Sequence, residues 1–580
     1  MLRAMSLLPF GKLPAFRERQ FVPADVDLGS WDAIEPLFDR LERVSAEGQS
    51  VEDLERWIGN WSELSAAIDE EDSRRYIAMT CHTENAEAEK AHLDFLENVE
   101  PHVKTRQFRL AKTFLEHPMR SELPKERYEV FDRDTKLTVE LFREENVELE
   151  TQIAKFSQQY QKLSGSLTVN FRNEERTLVA MARFLEEPDR ATREEAWKLT
   201  ANRRIDEKEN LEEQFERMLE LRQKTAANAG FENYRDYVHK RMGRFDYTPD
   251  DCFKFHAAVE QVIVPAVKAM QARRCKQLGI DRLRPWDTAV DPLNRPPLRP
   301  FEEVDDLIGR TQSIFDQLDD GLAGGFTTMR EKKLLDLGNR KGKAPGGYQS
   351  TLNEARLPFI FMNAVGLQRD VETMLHEAGH AFHALATRED DLHWYRHAPM
   401  EFCEVASMAM ELLGNDFLEE FYSPNDANRA RRVHLEGILN ILAWIATIDA
   451  FQQWIYTHKG HTRAERTVAW LEIRRRFGGD VDWAGLKLAE ENLWHRQLHI
   501  FGCPFYYIEY GIAQLGALQV WANSRKDKAK ALADYQAGLA LGGSRPLPEL
   551  FERAGCRFQF DAEIVRPLVD LVQDELSNLN

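Results

Sequence analysis

No two cysteines in this 580-residue chain stand close enough in sequence to suggest a covalent framework. The six, Cys81, Cys252, Cys275, Cys403, Cys503 and Cys556, are scattered singly without a CxxC pair. That excludes the disulfide-dense secreted class and reads as reduced thiols in a cytosol. Long apolar runs are missing too. The N-terminal MLRAMSLLPFGKLPAF is broken by Pro9 and too short for a secretory signal. The most apolar stretch, residues 437–455, carries Asn440, Asp449, Gln452 and Gln453, so a buried helix is expected there rather than a membrane span. A surplus of positive charge is lacking as well: 77 Lys and Arg face 97 Asp and Glu, a net −20. Such a chain repels phosphate backbones and anionic lipid, so neither nucleic acid nor membranes are expected partners. The short basic clusters at residues 429–432 and 474–476 read as solvated helix faces. The sequence carries no signal for an oligomeric state.

What is present favours helices. Residues 31–161 are dense in Glu, Lys, Arg, Leu and Ala and poor in Gly and Pro. In LERWIGNWSELSAAI, Leu54, Ile58, Trp61, Leu64 and Ile68 recur at helical spacing. SLTVNF, residues 166–171, interrupts this texture with a β-like pattern, and ERTLVAMARFLEEPDRATREEAWKLTANRR is expected to resume it. The proline-rich LRPWDTAVDPLNRPPLRP, residues 283–300, cannot hold a regular helix. In residues 341–363, Pro345, Gly346 and Gly347 precede LPFIFM, the best strand candidate, whose open edge is expected to be available to a peptide main chain. A mainly α protein with one small sheet follows. Residues 1–180 form the expected N-terminal helical lobe and residues 181–580 the region carrying the chemistry.

That chemistry centres on VETMLHEAGHAFHALA, which contains HExxH as His376, Glu377 and His380. Imidazoles four residues apart share one face of a helix and can share one Zn²⁺. Val371, Met374, Leu375, Ala378, Ala381, Phe382 and Leu385 form the opposite, apolar face. A catalytic zinc site needs a third protein ligand and an open position. The following run, PMEFCEVASMAMELL, offers Glu404, 24 residues after His380, room enough for a loop and a second helix packed back on the first. Glu411 falls on nearly the same face as Glu404 and could accept from an imidazole N–H. For Glu401 and Glu411 a solvated face is the alternative, and Glu372 and His383 are open in the same way. Glu377, beside the metal rather than on it, is the carboxylate placed to accept a proton from an attacking water. Further on, HIFGCPFYYIEYGIA gathers His499, Tyr506, Tyr507 and Tyr510, and Tyr507 and Tyr510 share a helical face.

HEAGHAFH followed by FCEVASMAMELL resembles the oligoendopeptidase F and thimet oligopeptidase family of zinc metallopeptidases. KGKAPGGY with LPFIFMN, the LRPWD segment and HIFGCPFYYIEY look like its oligoendopeptidase F branch, so the likeness covers roughly residues 180 to 570. It implies one zinc per chain on His376, His380 and Glu404, transition-state and substrate-binding roles for His499, Tyr507 and Tyr510, and two helical lobes around a deep groove that admits short unstructured oligopeptides. Tyr506 is the alternative to Tyr507 as the residue facing substrate. Gly346 and Gly347 could let the main chain approach a peptide. The implied activity is that of a cytoplasmic endopeptidase. The rivals are a helical HExxH carboxypeptidase or dipeptidyl carboxypeptidase, and an inactive metal-binding helical interaction protein.

Overall fold

A computed structural model describes residues 7–44, 50–340, 342–344 and 346–579. Lys341 and Pro345 of the expected strand segment, and the first six residues of the N-terminal run, lie outside the described residues. The chain is mainly helical. In chain order, the elements that build the sites are α1 (Val51–Cys81), β1 (Thr168–Phe171), β2 (Glu174–Thr177), α2 (Lys208–Asn228), β3 (Leu335–Gly338), β4 (Tyr348–Leu352), β5 (Leu357–Ala364), α3 (Gln368–Thr387), α4 (Met400–Gly414), α5 (Pro424–Thr457), α6 (Leu498–Gly502) and α7 (Tyr507–Ser524).

Two compact units share the chain. The first comprises residues 1–140, 299–430 and 516–558, and the second residues 141–298, 431–515 and 559–580. In the first, α1 is capped by Ser50, whose side chain accepts from the Asp53 N–H. Its stripe of Leu54, Ile58, Trp61, Leu64 and Ile68 is buried, in a core that also takes in Phe114, Phe131 and, from much later in the chain, Leu392 and Tyr395. In the second unit, Asp287 of the LRPWD segment is fully buried and ion-paired with Arg190 at 2.8 Å and Arg193 at 3.1 Å, which orders a stretch that prolines keep out of helix.

The described residues hold two small sheets where one is expected. β1 pairs antiparallel with β2 as an isolated hairpin, so the expected helical resumption at ERTL begins instead as strand and a short 3-10 turn, and true helix starts only at Arg190. Asn173 and its neighbour Arg172 have positive φ, the backbone of a tight hairpin turn. The other sheet has the order β3-β5-β4, with β5 parallel to β3 and antiparallel to β4. LPFIFM therefore lies in the central strand, both of whose edges are paired, and the edge reading belongs to β4. The physical reason is visible in the segment itself: Leu357 to Met362 is buried on both faces, which suits an interior strand.

α5 is long and apolar enough to cross a membrane by length and composition, yet Leu439, Leu442, Ile445, Ile448, Phe451 and Ile455 along it are buried in protein. The basic clusters differ from simple solvated faces. Arg429 is buried, Arg432 donates to the Leu576 carbonyl at 2.7 Å, and Arg474 lies over the rings of Trp444 and Trp483.

Candidate metal centre and aromatic cluster

α3 carries the HExxH segment, and its apolar face is buried as the period predicts, with Leu385 half-exposed at its end. α4 packs across it at the motif's own glycine. A Cβ at Gly379 would stand 2.5 Å from the Ala406 carbonyl oxygen and 2.5 Å from Ser407 Cα, so the two main chains touch and no other residue fits. Near the end of α4 a Cβ on Gly414 would meet Leu375 at 2.8 Å. The hydroxyl of buried Tyr535 donates to the Ala406 carbonyl at 2.7 Å and ties down the same point of α4.

This crossing sets Glu404 in front of the histidines. Glu404 Oε2 lies 3.5 Å from His376 Nε2 and 3.7 Å from His380 Nε2. Among the described residues, these three side chains make a metal-sized grouping, with ligand atoms within 4.8 Å of one another. Each donor is held from behind. His376 Nδ1 meets Glu411 Oε1 at 2.6 Å, which leaves Nε2 as the atom facing Glu404. The His380 ring hydrogen-bonds the main-chain oxygen of Cys403. Ser407 Oγ donates to Glu404 Oε2 at 3.2 Å. Two imidazoles and a carboxylate converging at these distances suit a divalent cation.

The electrostatics agree. Burial alone would lower His376, but the carboxylates of Glu411, Glu404 and Glu377 outweigh it and raise the ring to about 9. Burial, with His376 next, pushes His380 well down. Burial also raises the Glu377 carboxyl to about 7, against the pull of His376 and with Glu404 and Glu411 adding to the rise. The Gln349 main-chain N–H on β4 hydrogen-bonds Glu377. Three carboxylates thus surround two imidazoles, a surplus of negative charge that a divalent cation would offset. Glu401 is buried rather than solvated and stands outside the ligand grouping. Glu372 accepts from Gln368 at 3.1 Å. His383 is a core residue packed edge-on against Phe402, and burial lowers it to about 3.

Gly346, with φ +100°, adopts a backbone that side chains rarely allow, and its carbonyl accepts from Asn363 Nδ2 at 2.9 Å. A Cβ on Gly347 would lie 3.4 Å from Thr373 of α3 and 3.4 Å from the Phe361 carbonyl. These glycines deliver the chain into β4, whose outer edge is unpaired among the described strands. Ser407 and the Gln349 main chain carry no signal in the sequence: one is a small residue in an apolar helix, the other a backbone group.

In the second unit, His499 of α6 and the start of α7 form an aromatic cluster. His499 lies 4.7 Å from the Tyr507 ring and 5.8 Å from those of Tyr506 and Tyr510, and Tyr506 and Tyr510 are 5.2 Å apart. Gln497 Nε2 faces His499 Nδ1 at 2.8 Å, while Trp444 Nε1 donates to Gln497 Oε1 at 2.9 Å. Burial lowers His499 to about 4, so near neutral pH the ring is uncharged and its Nε2–H is a donor. Tyr507 is buried, with Gln497 and Trp444 as hydrogen-bond neighbours, and burial raises it to about 12. Tyr506 and Tyr510 are half-exposed.

Peptidase family M3 matches residues 183–569, and the Peptidase M3 N-terminal domain matches residues 23–142. The oligopeptidase PepF of Bacillus subtilis is 24% identical over 237 residues, 39% of this chain and 34% of that protein. An oligoendopeptidase F homologue of Lactococcus lactis subsp. lactis is 25% identical over 319 residues, 53% of this chain and 50% of that protein. The aligned segments thus span a third to a half of these relatives. A solved structure described as PZ peptidase A with an inhibitor superposes with a TM-score of 0.89 at 28% identity, covering 96% of this chain and 99% of that one.

Proposed function

Because this chain belongs to Peptidase family M3, we propose that it is a zinc-dependent endopeptidase that hydrolyses internal bonds of short unstructured oligopeptides in the cytoplasm. The observation that carries the reading is the convergence of His376 Nε2 and His380 Nε2 on Glu404 Oε2, at 3.5 Å and 3.7 Å, beside the buried Glu377. One zinc per chain would be held by those three side chains, and when bound it supplies Lewis acidity that brings the pKa of water down to about 7. Glu377 accepts the proton of the water that attacks the scissile carbonyl and passes it to the departing amine. Glu411 fixes the tautomer of His376, and Ser407 orients Glu404.

The residues matched to the family's pattern extend the assignment. Tyr510 and neutral His499 donate hydrogen bonds to the oxyanion of the tetrahedral intermediate. Tyr507, packed 4.7 Å from His499 and 5.5 Å from Tyr510, acts with them on the bound peptide, and half-exposed Tyr506 is the alternative residue to face it. The β4 edge beyond Gly346 and Gly347 pairs with the substrate main chain, which gives affinity with loose sequence preference. Residues 1–180 serve as the N-terminal lobe and residues 181–580 carry the catalytic machinery.

A library of short peptides, with part of it blocked at both ends, tests the reading by mass spectrometry. Zinc-loaded protein should cut blocked peptides internally, and a chelator should abolish the cuts. Trimming of free C-termini alone would point to a carboxypeptidase, and no hydrolysis with zinc bound would point to an inactive metal-binding protein.

A further inference from the structure

The turn between α6 and α7 is gripped by buried polar side chains that the mechanism leaves unexplained. Phe505, fully buried, has φ +68°, a left-handed backbone that strains a bulky residue. Both of its peptide groups are held. Its N–H donates to Gln452 Oε1 at 2.9 Å, and its carbonyl accepts from Arg244 Nη2 at 2.6 Å. Arg244 also pairs with Glu509 in the first turn of α7 at 2.8 Å, with both side chains buried. Its Nη1 lies 3.1 Å from His239 Nε2, a ring that burial lowers to about 2 and so keeps neutral as an acceptor.

A second arginine holds the other side of the turn. Arg222 of α2 is fully buried and donates to the Tyr456 hydroxyl at 2.8 Å and to the carbonyl of Ile500 at 3.0 Å, and it also reaches the carbonyl of Phe501. Both carbonyls belong to α6, directly after His499. The Tyr456 ring packs 5.4 Å from Phe505 and links the two grips.

Burying guanidinium groups is a poor route to stability, because apolar replacements of similar volume often serve as well or better. What a planar five-donor fork supplies, and an apolar side chain does not, is fixed placement of main-chain oxygens. Here the oxygens placed are those of residues 500, 501 and 505, between His499 and the three tyrosines. We propose that Arg222, Arg244 and Gln452 are positioning residues for peptide hydrolysis, which hold the 500–505 main chain, strained at Phe505, so that His499, Tyr506, Tyr507 and Tyr510 keep one arrangement. The inference rests on the metallopeptidase reading above. Preorganised donors of this kind need supports that are themselves locked.

The test uses the full zinc-loaded chain and an internally quenched peptide, with Arg222→Lys and Arg244→Lys, which keep the charge and lose the fork. Each should lower kcat about ten- to a hundredfold, with KM within about threefold, as misplacement of a catalytic group does. Amide hydrogen exchange should speed up over residues 499–510, while zinc content stays at the wild-type level. A kcat per folded, zinc-loaded molecule equal to the wild type would overturn the proposal. Should both lysine variants fail to fold, Gln452→Asn, which withdraws the acceptor from the Phe505 N–H, decides by the same kcat criterion. Absence of cleavage by the wild type sinks the metallopeptidase reading and this inference together, whereas cleavage by the wild type with unchanged kcat in the variants sinks the inference alone.

Discussion

Glu377 is buried, hydrogen-bonded by the Gln349 main chain, and stands outside the grouping of His376, His380 and Glu404. Replacing its carboxyl by an amide preserves shape and removes the proposed base. Glu377→Gln should therefore bind zinc as the wild type does and lose about 10²–10⁴-fold in turnover. Metal analysis together with kcat checks this, and near-normal kcat in zinc-loaded variant would reject the assignment. Asp336 in β3 makes a different kind of prediction. Burial would raise its carboxyl, but Arg340, Cys81 and Lys343 outweigh that and hold it at about 2, below the ordinary 3.8. Lys343, its side chain fully buried, donates to Asp336 Oδ1 and to the carbonyls of Asp336 and Gly338. A depressed carboxylate contributes stability above its unfolded value and loses it as the pH falls through the folded one. Asp336→Asn should cost about 2 kcal/mol near neutrality. In urea titrations the gap from wild type should stay constant from about pH 8 to pH 5 and begin to close below about pH 4. A gap that widened on acidification would refute the pairing.

At the scale of elements, the crossing of α3 and α4 is the feature that sets Glu404 against His376 and His380. Gly379→Ala places a methyl against main-chain atoms at 2.5 Å, and neither neighbour is a flexible side chain that could give way. The helices must part, at a cost of about 1–3 kcal/mol. Zinc affinity should fall by tenfold or more as Glu404 retreats, read by competition with a chromophoric chelator. Unaltered affinity would show that the crossing does not set the site. Much of this was legible beforehand. The 3.6-residue period around His376 and His380 predicts one ligand face and one packed face, and the 24-residue spacing from His380 marks Glu404 among the three glutamates of the following run. The strand pairing was less legible, although its signal was present, since six apolar residues in a row describe a strand covered on both sides rather than an edge. β2, with the sequence EERT, has no apolar pattern and is defined only by its partner. Arg222 and Gln452 are invisible for another reason: their partners are main-chain groups 278 and 53 residues away, and no local pattern encodes such distances.

At the scale of the whole molecule, each compact unit is assembled from three separated stretches of chain. The first unit closes the core of its N-terminal helices with Leu392 and Tyr395, and Tyr395 donates its hydroxyl to the Arg127 carbonyl at 2.7 Å. Binding a metal on α3 and α4 should be felt through this unit. At a hundredfold excess over its Kd, zinc should add about 2.7 kcal/mol to stability. Calorimetry with zinc and with chelator should show the corresponding rise in unfolding temperature, and Glu404→Ala should abolish it. The tight crossing at Gly379 also bears on the chain's history. Because two peptide backbones abut there, the spacing between the two imidazoles and the carboxylate is set by covalent dimensions common to all polypeptides. Descendants can exchange most of the surrounding side chains and inherit the same separation between imidazoles and carboxylate, provided that this one position never acquires a carbon beyond its α-carbon.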